Sequence, residues 1–216
     1  MDPFRLCLAL GPLAVYLAVL GIVNLGRRPL ITSGARDTAA LAIALCGLII
    51  VGPIELFMPQ AAVMQFGMYV WVMLVAFYFL LATLWVLTQR PRLVVYNVSL
   101  DEIRPILAEA VGRLDPDARW AGNSVLMPKQ HVEFRIESFA LMRNVTLTAS
   151  GDVQHYQGWR NLESALAAGL RELEVRPNPQ GAGMLLLGLL MVATVLWRVA
   201  SEAQQVAEAF RDMLRL

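Results

Sequence analysis

The chain has 216 residues, of which 57% are hydrophobic and only 16% charged, with a net charge of +1. An average soluble protein is about 45–50% apolar and about 25% charged, so this composition excludes a compact water-soluble body as the whole of the chain. The near-neutral charge excludes bulk attraction to nucleic acid.

The apolar residues lie in blocks. No charge occurs from Leu6 to Val23, Glu55 is the only one between Asp37 and Arg90, and none occurs from Gly181 to Trp197. About 20 apolar residues in a helix cross the hydrocarbon of a bilayer. The middle block is too long for one crossing, and Pro53, Pro59 and Gln60 interrupt it. The pattern predicts four membrane spans near 5–25, 38–57, 66–88 and 181–199. The organisation read from it is three spans within 1–91, a soluble domain over 92–177, a fourth span within 178–200 and an amphipathic helix over 201–216. Arg5 alone precedes the first block, and Arg27 and Arg28 follow it, the flanks of an uncleaved anchor rather than a secretion signal.

Basic residues near span ends favour the cytoplasm. Arg27, Arg28 and Arg36 follow the first span, Arg90, Arg92 and Arg104 follow the third, and Arg171 and Arg176 precede the fourth. The expected location is the inner cell membrane, multi-pass, with the domain cytoplasmic and both termini outside. Cys7 and Cys46 fall at different depths of their helices and suit unbridged thiols.

Small residues follow one another at helical spacing in the first span (Cys7, Gly11, Ala14, Ala18, Gly21) and in the second (Ala40, Ala44, Gly47). Such stripes let backbones approach closely, so these two helices are expected to pack together, with self-association as the alternative use. Glu55 is the one ionisable group with a place inside the membrane and the candidate polar site there. Its neighbours Pro53 and Pro59 mark the end of a span and make an interfacial carboxylate the simpler reading.

Residues 92–177 carry most of the charge. Leu93 to Val98 reads as a strand. Ser99-Leu-Asp-Glu102 is a capping box, serine and glutamate each satisfying a free N–H at a helix start. Leu100, Ile103, Leu107, Ala110, Val111 and Leu114 then follow at helical spacing. A hairpin is predicted about Gly122-Asn123. Val132, Phe134 and Ile136 alternate with polar residues, as do Val145, Leu147 and Ala149, each the pattern of a half-buried antiparallel strand. Trp159, Leu162, Leu166, Leu170 and Leu173 mark a second helix. The predicted fold is therefore an all-α transmembrane part carrying an inserted two-layer α+β domain, its antiparallel sheet covered by two helices on one face. The other sheet face, with His131, Glu133, Arg135, Glu137, Thr146 and Thr148, is the candidate interaction face. A solvated polar face is the plainer alternative.

The order helix–strands–helix is also that of a double-stranded RNA-binding domain, but Arg160 stands alone beside Glu163 where a basic cluster would be needed. No nucleic-acid partner is read. His131 and His155 have no cysteine near them in sequence, zinc spacing and a phosphate-binding glycine loop are absent, and no serine has nucleophile context. No catalytic, cofactor-binding or metal-binding residue is assigned. In the tail, Ala203, Val206, Ala207, Phe210, Met213 and Leu214 share a helical face suited to the bilayer surface or to another helix. The function expected is a non-enzymatic membrane protein presenting its domain for protein–protein contact or scaffolding. The partners expected are the lipid bilayer and a protein or second copy, met through the domain or the tail. A transporter or channel subunit using Glu55 and the first two helices is the alternative.

Overall fold

The computed structural model describes residues 3–54, 64–67, 69–152 and 154–202. In chain order the elements are α1 (Pro3–Leu25), β1 (Leu30–Ser33), α2 (Gly34–Ile49), α3 (Tyr69–Thr88), β2 (Arg92–Tyr96), α4 (Leu100–Leu114), β3 (Arg119–Ala121), β4 (Ser124–Met127), β5 (Val132–Phe139), β6 (Asn144–Ala149), α5 (Tyr156–Glu172) and α6 (Gln180–Ser201). A π-helical stretch, Ile50–Ile54, containing Pro53, follows α2. Among the described residues, four helices are long and apolar enough to cross a membrane: Phe4–Leu25, Gly34–Pro53, Tyr69–Thr88 and Gln180–Ser201. The predicted amphipathic tail helix lies outside the described residues.

The chain divides into two compact units, one formed by Met1–Val19, Ala39–Leu87 and Met184–Leu216, the other by Leu20–Thr38 and Thr88–Gly183. In the first unit, small residues set the helix contacts. A Cβ on Gly47 would stand 1.8 Å from the Leu8 carbonyl oxygen, so α1 and α2 touch backbone to backbone there. Ala14 and Ala18 of α1 serve a different neighbour: a Cβ on Gly188 of α6 would lie 2.9 Å from the Ala14 carbonyl oxygen and 3.1 Å from the Ala18 nitrogen. Ala44 is buried, whereas Ala40 is exposed and Gly11 faces open space. The Tyr78 hydroxyl donates to the Ala42 carbonyl at 2.7 Å, joining α3 to α2. Large apolar side chains such as Ile43, Phe77 and Leu189 remain exposed on the helices.

The second unit is built on a six-stranded sheet of order β1-β2-β6-β5-β4-β3, antiparallel at every pairing. Alternation places Leu93, Val95, Val125, Val132, Phe134, Ile136, Val145 and Leu147 on one face, buried together with Ile103, Leu107 and Val111 of α4 and Trp159, Leu162, Leu166 and Leu170 of α5. Both helices thus share one core with one sheet face. The helix α4 starts at the predicted cap: the Ser99 hydroxyl accepts from the Glu102 N–H, and Glu102 accepts from the Ser99 N–H at 2.8 Å. Gly122, at φ +62°, makes the tight β3–β4 turn that a side chain would strain.

Two features depart from the sequence reading. Leu30–Ser33 falls in the loop predicted between the first two spans, yet it forms the edge strand β1, pairing with β2 from Leu30 opposite Tyr96 to Ser33 opposite Leu93. His131 is predicted to open a strand; it sits instead in the preceding turn at φ 49°, and β5 begins at Val132.

Candidate functional site: the open face of the sheet

Side chains opposite the core form a face that α4 and α5 leave uncovered. The register sets its rows. Arg92, Thr148, Arg135 and Ser124 lie side by side across β2, β6, β5 and β4. Val94, Thr146 and Glu137 form the next row, and Glu133 stands beside Leu126. Five of the six residues read from the sequence (Glu133, Arg135, Glu137, Thr146 and Thr148) therefore share this face. His131 does not join them in a strand: its ring lies 6.5 Å, centroid to centroid, from that of His155.

A shallow depression of about 430 Å³ opens on this face, lined in part by Arg90, Ser124, Glu133, Arg135, Glu137 and Thr148. Glu133 is held at its rim, accepting from the Ser150 hydroxyl at 3.2 Å. Two guanidinium groups and two carboxylates on a rigid sheet suit hydrogen bonding to a ligand or surface that carries both signs of charge. Arg90 escaped the sequence reading because nothing in the chain between α3 and β2 marks which way that side chain turns. Phe139 and Leu126, both exposed on this face, escaped it because attention to polar residues passed over them, although Phe139 continues the alternation of Glu133, Arg135 and Glu137.

The β2 end of the face is occupied by the first turn of α2. The Tyr96 hydroxyl donates to Asp37, and Arg92 Nη2 reaches Thr38 Oγ1 at 3.0 Å and Asp37 Oδ2 at 3.6 Å. Thr38 in turn donates to Gln89 at 3.0 Å. At the end of β2, Asn97 is buried at φ 59° and donates to the Gly26 carbonyl at 2.7 Å. Asn178 donates its N–H to the Asn24 carbonyl at 2.8 Å, tying the start of α6 to the end of α1.

Elsewhere, charged groups have structural roles. Buried Asp115 accepts from the N–H groups of Asp117 and Lys129, at 3.0 and 2.7 Å, closing the turn after α4. Burial pushes the Glu102 carboxyl up, but hydrogen bonds from Ser99 and Arg143 outweigh it and hold the group below its ordinary value. Cys7 and Cys46 are free thiols. Among the described residues no three His, Cys, Asp or Glu side chains converge as metal ligands. Glu55 lies outside the described residues. Comparison with protein-family models, curated proteins and solved structures found no match to this chain.

Proposed function

We propose that the chain is a multi-pass protein of the cell membrane that holds its α+β domain on the cytoplasmic side as a non-catalytic module for protein contact. The four long apolar helices support the membrane reading. So does the pairing of β1 with β2: β1 precedes α2 and β2 follows α3, and two strands of one sheet must lie on one side of a bilayer. Two crossings between them meet that demand. Arg27, Arg28, Arg36, Arg90, Arg92, Arg104, Arg171 and Arg176 all fall in the unit that holds the sheet, and their excess favours the cytoplasm for it.

The observation that carries the contact role is the far edge of the sheet. The strand β3 lies at the opposite edge from β1 and has no outer partner among the described residues, and Trp120 on it, paired with Val125, is 42% exposed. An unpaired edge with an accessible tryptophan suits strand addition or capture of an apolar side chain by a protein partner. A photo-crosslinking residue at Trp120 in living cells tests it. A discrete adduct, absent when the same residue replaces exposed Asp101, supports the reading; equal labelling at both positions, or none at either, removes it.

A further inference from the structure

The chain has two histidines, well separated in sequence, and the fold of the sheet-bearing unit brings them together. The ring centroids of His131 and His155 are 6.5 Å apart, the planes tilted by 60°, and both residues are exposed. Their backbones are joined directly, the His155 N–H donating to the His131 carbonyl at 2.9 Å. Gly158 permits that approach, because a Cβ there would stand 2.3 Å from the Gln130 carbonyl oxygen. The neighbouring glutamines fix both turns. Gln130 donates to the Leu114 carbonyl at 3.3 Å and accepts from Asn161 at 3.1 Å. Gln154 donates to the Glu133 carbonyl and accepts from the Trp159 indole N–H, each at 2.9 Å. Two imidazoles therefore project into solvent from a backbone held on both sides.

Neither position asks for histidine on local grounds. His131 has a left-handed backbone, φ 49°, which glycine and asparagine adopt most readily. His155 is the N-cap of α5, yet its side chain makes no capping bond. Serine, threonine, aspartate or asparagine there would satisfy a free N–H of the helix start. Two departures from local preference that meet at one point mark a use beyond folding.

Imidazole nitrogen binds late transition metals at about 2.0–2.1 Å. With about 1.1 Å from that nitrogen to the ring centre, two imidazoles on one ion have centroids about 4.5 Å apart at a right angle and about 6.4 Å apart in line. From 6.5 Å, a small rotation of the two exposed side chains enters that range. Among first-row divalent ions Cu²⁺ binds nitrogen most tightly. The positive end of α5 opposes any cation, which leaves the site to the strongest nitrogen binders.

We propose that His131 and His155 bind one late first-row divalent ion, Cu²⁺ in preference to Zn²⁺, with water in its remaining positions. The ion clips the turn before β5 to the start of α5. The site lies wholly within the sheet-bearing unit and depends neither on the membrane reading nor on the contact role of β3.

The test is Cu²⁺ titration of the purified full chain in detergent, followed by pulsed electron paramagnetic resonance. Cys7 and Cys46 are replaced by alanine, and the purification tag contains no histidine. Modulation from the remote ring nitrogen counts the bound imidazoles without any substitution at the site, and the expected result is one ion per chain with two imidazoles. His131→Asn and His155→Ser supply what each backbone position prefers, so both variants should match or exceed the metal-free thermal midpoint of the parent. Each should lose at least about 10–100-fold in Cu²⁺ affinity, the loss that disturbing even an outer-shell partner of a ligand brings. Saturating Cu²⁺ should raise the midpoint of the parent and of neither variant. A parent spectrum with one imidazole or none, or equal affinity in the parent and both variants, overturns the proposal.

Discussion

Arg143 Nη2 donates to both carboxylate oxygens of Glu102, at 2.8 and 2.7 Å, and its Nη1 donates to the Arg176 carbonyl at 2.9 Å. One side chain thus joins the start of α4, the hairpin before β6 and the segment leading to α6. The pair is only partly exposed, at 21% for Arg143 and 32% for Glu102, so it should exceed a solvated surface ion pair without reaching a buried one. Arg143→Ala should destabilise the protein by roughly 1–2 kcal/mol. Arg143→Lys should recover only part of that, because an ammonium cannot reproduce the guanidinium fork. Thermal midpoints of the purified full chain in detergent give the comparison; equal midpoints for all three proteins would show the pair to be inert.

The same contact makes a pH prediction. Glu102 is held below its ordinary value in the fold, so its contribution is complete above the unfolded carboxylate pKa of about 4.3 and is lost as pH falls through the lower folded value. The stability gap between the parent and Glu102→Gln should be constant from neutral pH to about 5, then close as the pH drops further. Denaturant midpoints at a series of pH values would reveal it. A gap that widens in acid contradicts the assignment.

Helix packing gives a third expectation. Gly47→Ala puts a methyl 1.8 Å from the Leu8 carbonyl oxygen, against backbone that has no rotamer to change. It should cost about 1–3 kcal/mol. Gly188→Ala, at 2.9 Å from the Ala14 carbonyl oxygen, should cost less. Gly11→Ala meets open space and should be neutral or slightly stabilising, since alanine is the better helix former. Retained stability in Gly47→Ala would show that α1 and α2 do not approach as described.

Asn97 combines a left-handed backbone with a buried donor, and the two can be separated. Asn97→Gly keeps the conformation and loses the bond to Gly26, for a loss of about 1 kcal/mol. Asn97→Val loses both and should fall by roughly 2–4 kcal/mol, because a β-branched residue resists positive φ. Chemical denaturation of the two variants side by side is sufficient. Equal losses would mean that the backbone relaxes.

What the sequence revealed was whatever its periodicity repeated. The α4 stripe follows an explicit cap at Ser99 and Glu102, and the strands around Phe134 and Leu147 alternate for several residues, so core and helices were legible. The strand β1 was not. Leu-Ile-Thr-Ser is too short to show a period, and it becomes a strand only because β2 presents an unpaired edge. The partner of the α1 stripe was equally hidden: small residues at helical spacing announce a close neighbour but not which one, and Ala14 and Ala18 meet Gly188 near the other end of the chain. On the open face, alternation identified Glu133, Arg135 and Glu137. His131 shares their spacing, yet the turn before Val132 reverses the backbone and ends the parity.

Because β1 is synthesised before α2 and α3 while its partner comes after them, the sheet is assembled out of order. About sixty residues separate the two strands, so at ordinary ribosomal rates Leu30–Ser33 waits roughly 3–12 s before β2 exists to receive it. During that interval the two long apolar helices α2 and α3 are made. A fragment starting at Arg90 would therefore emerge with the outer edge of β2 bare.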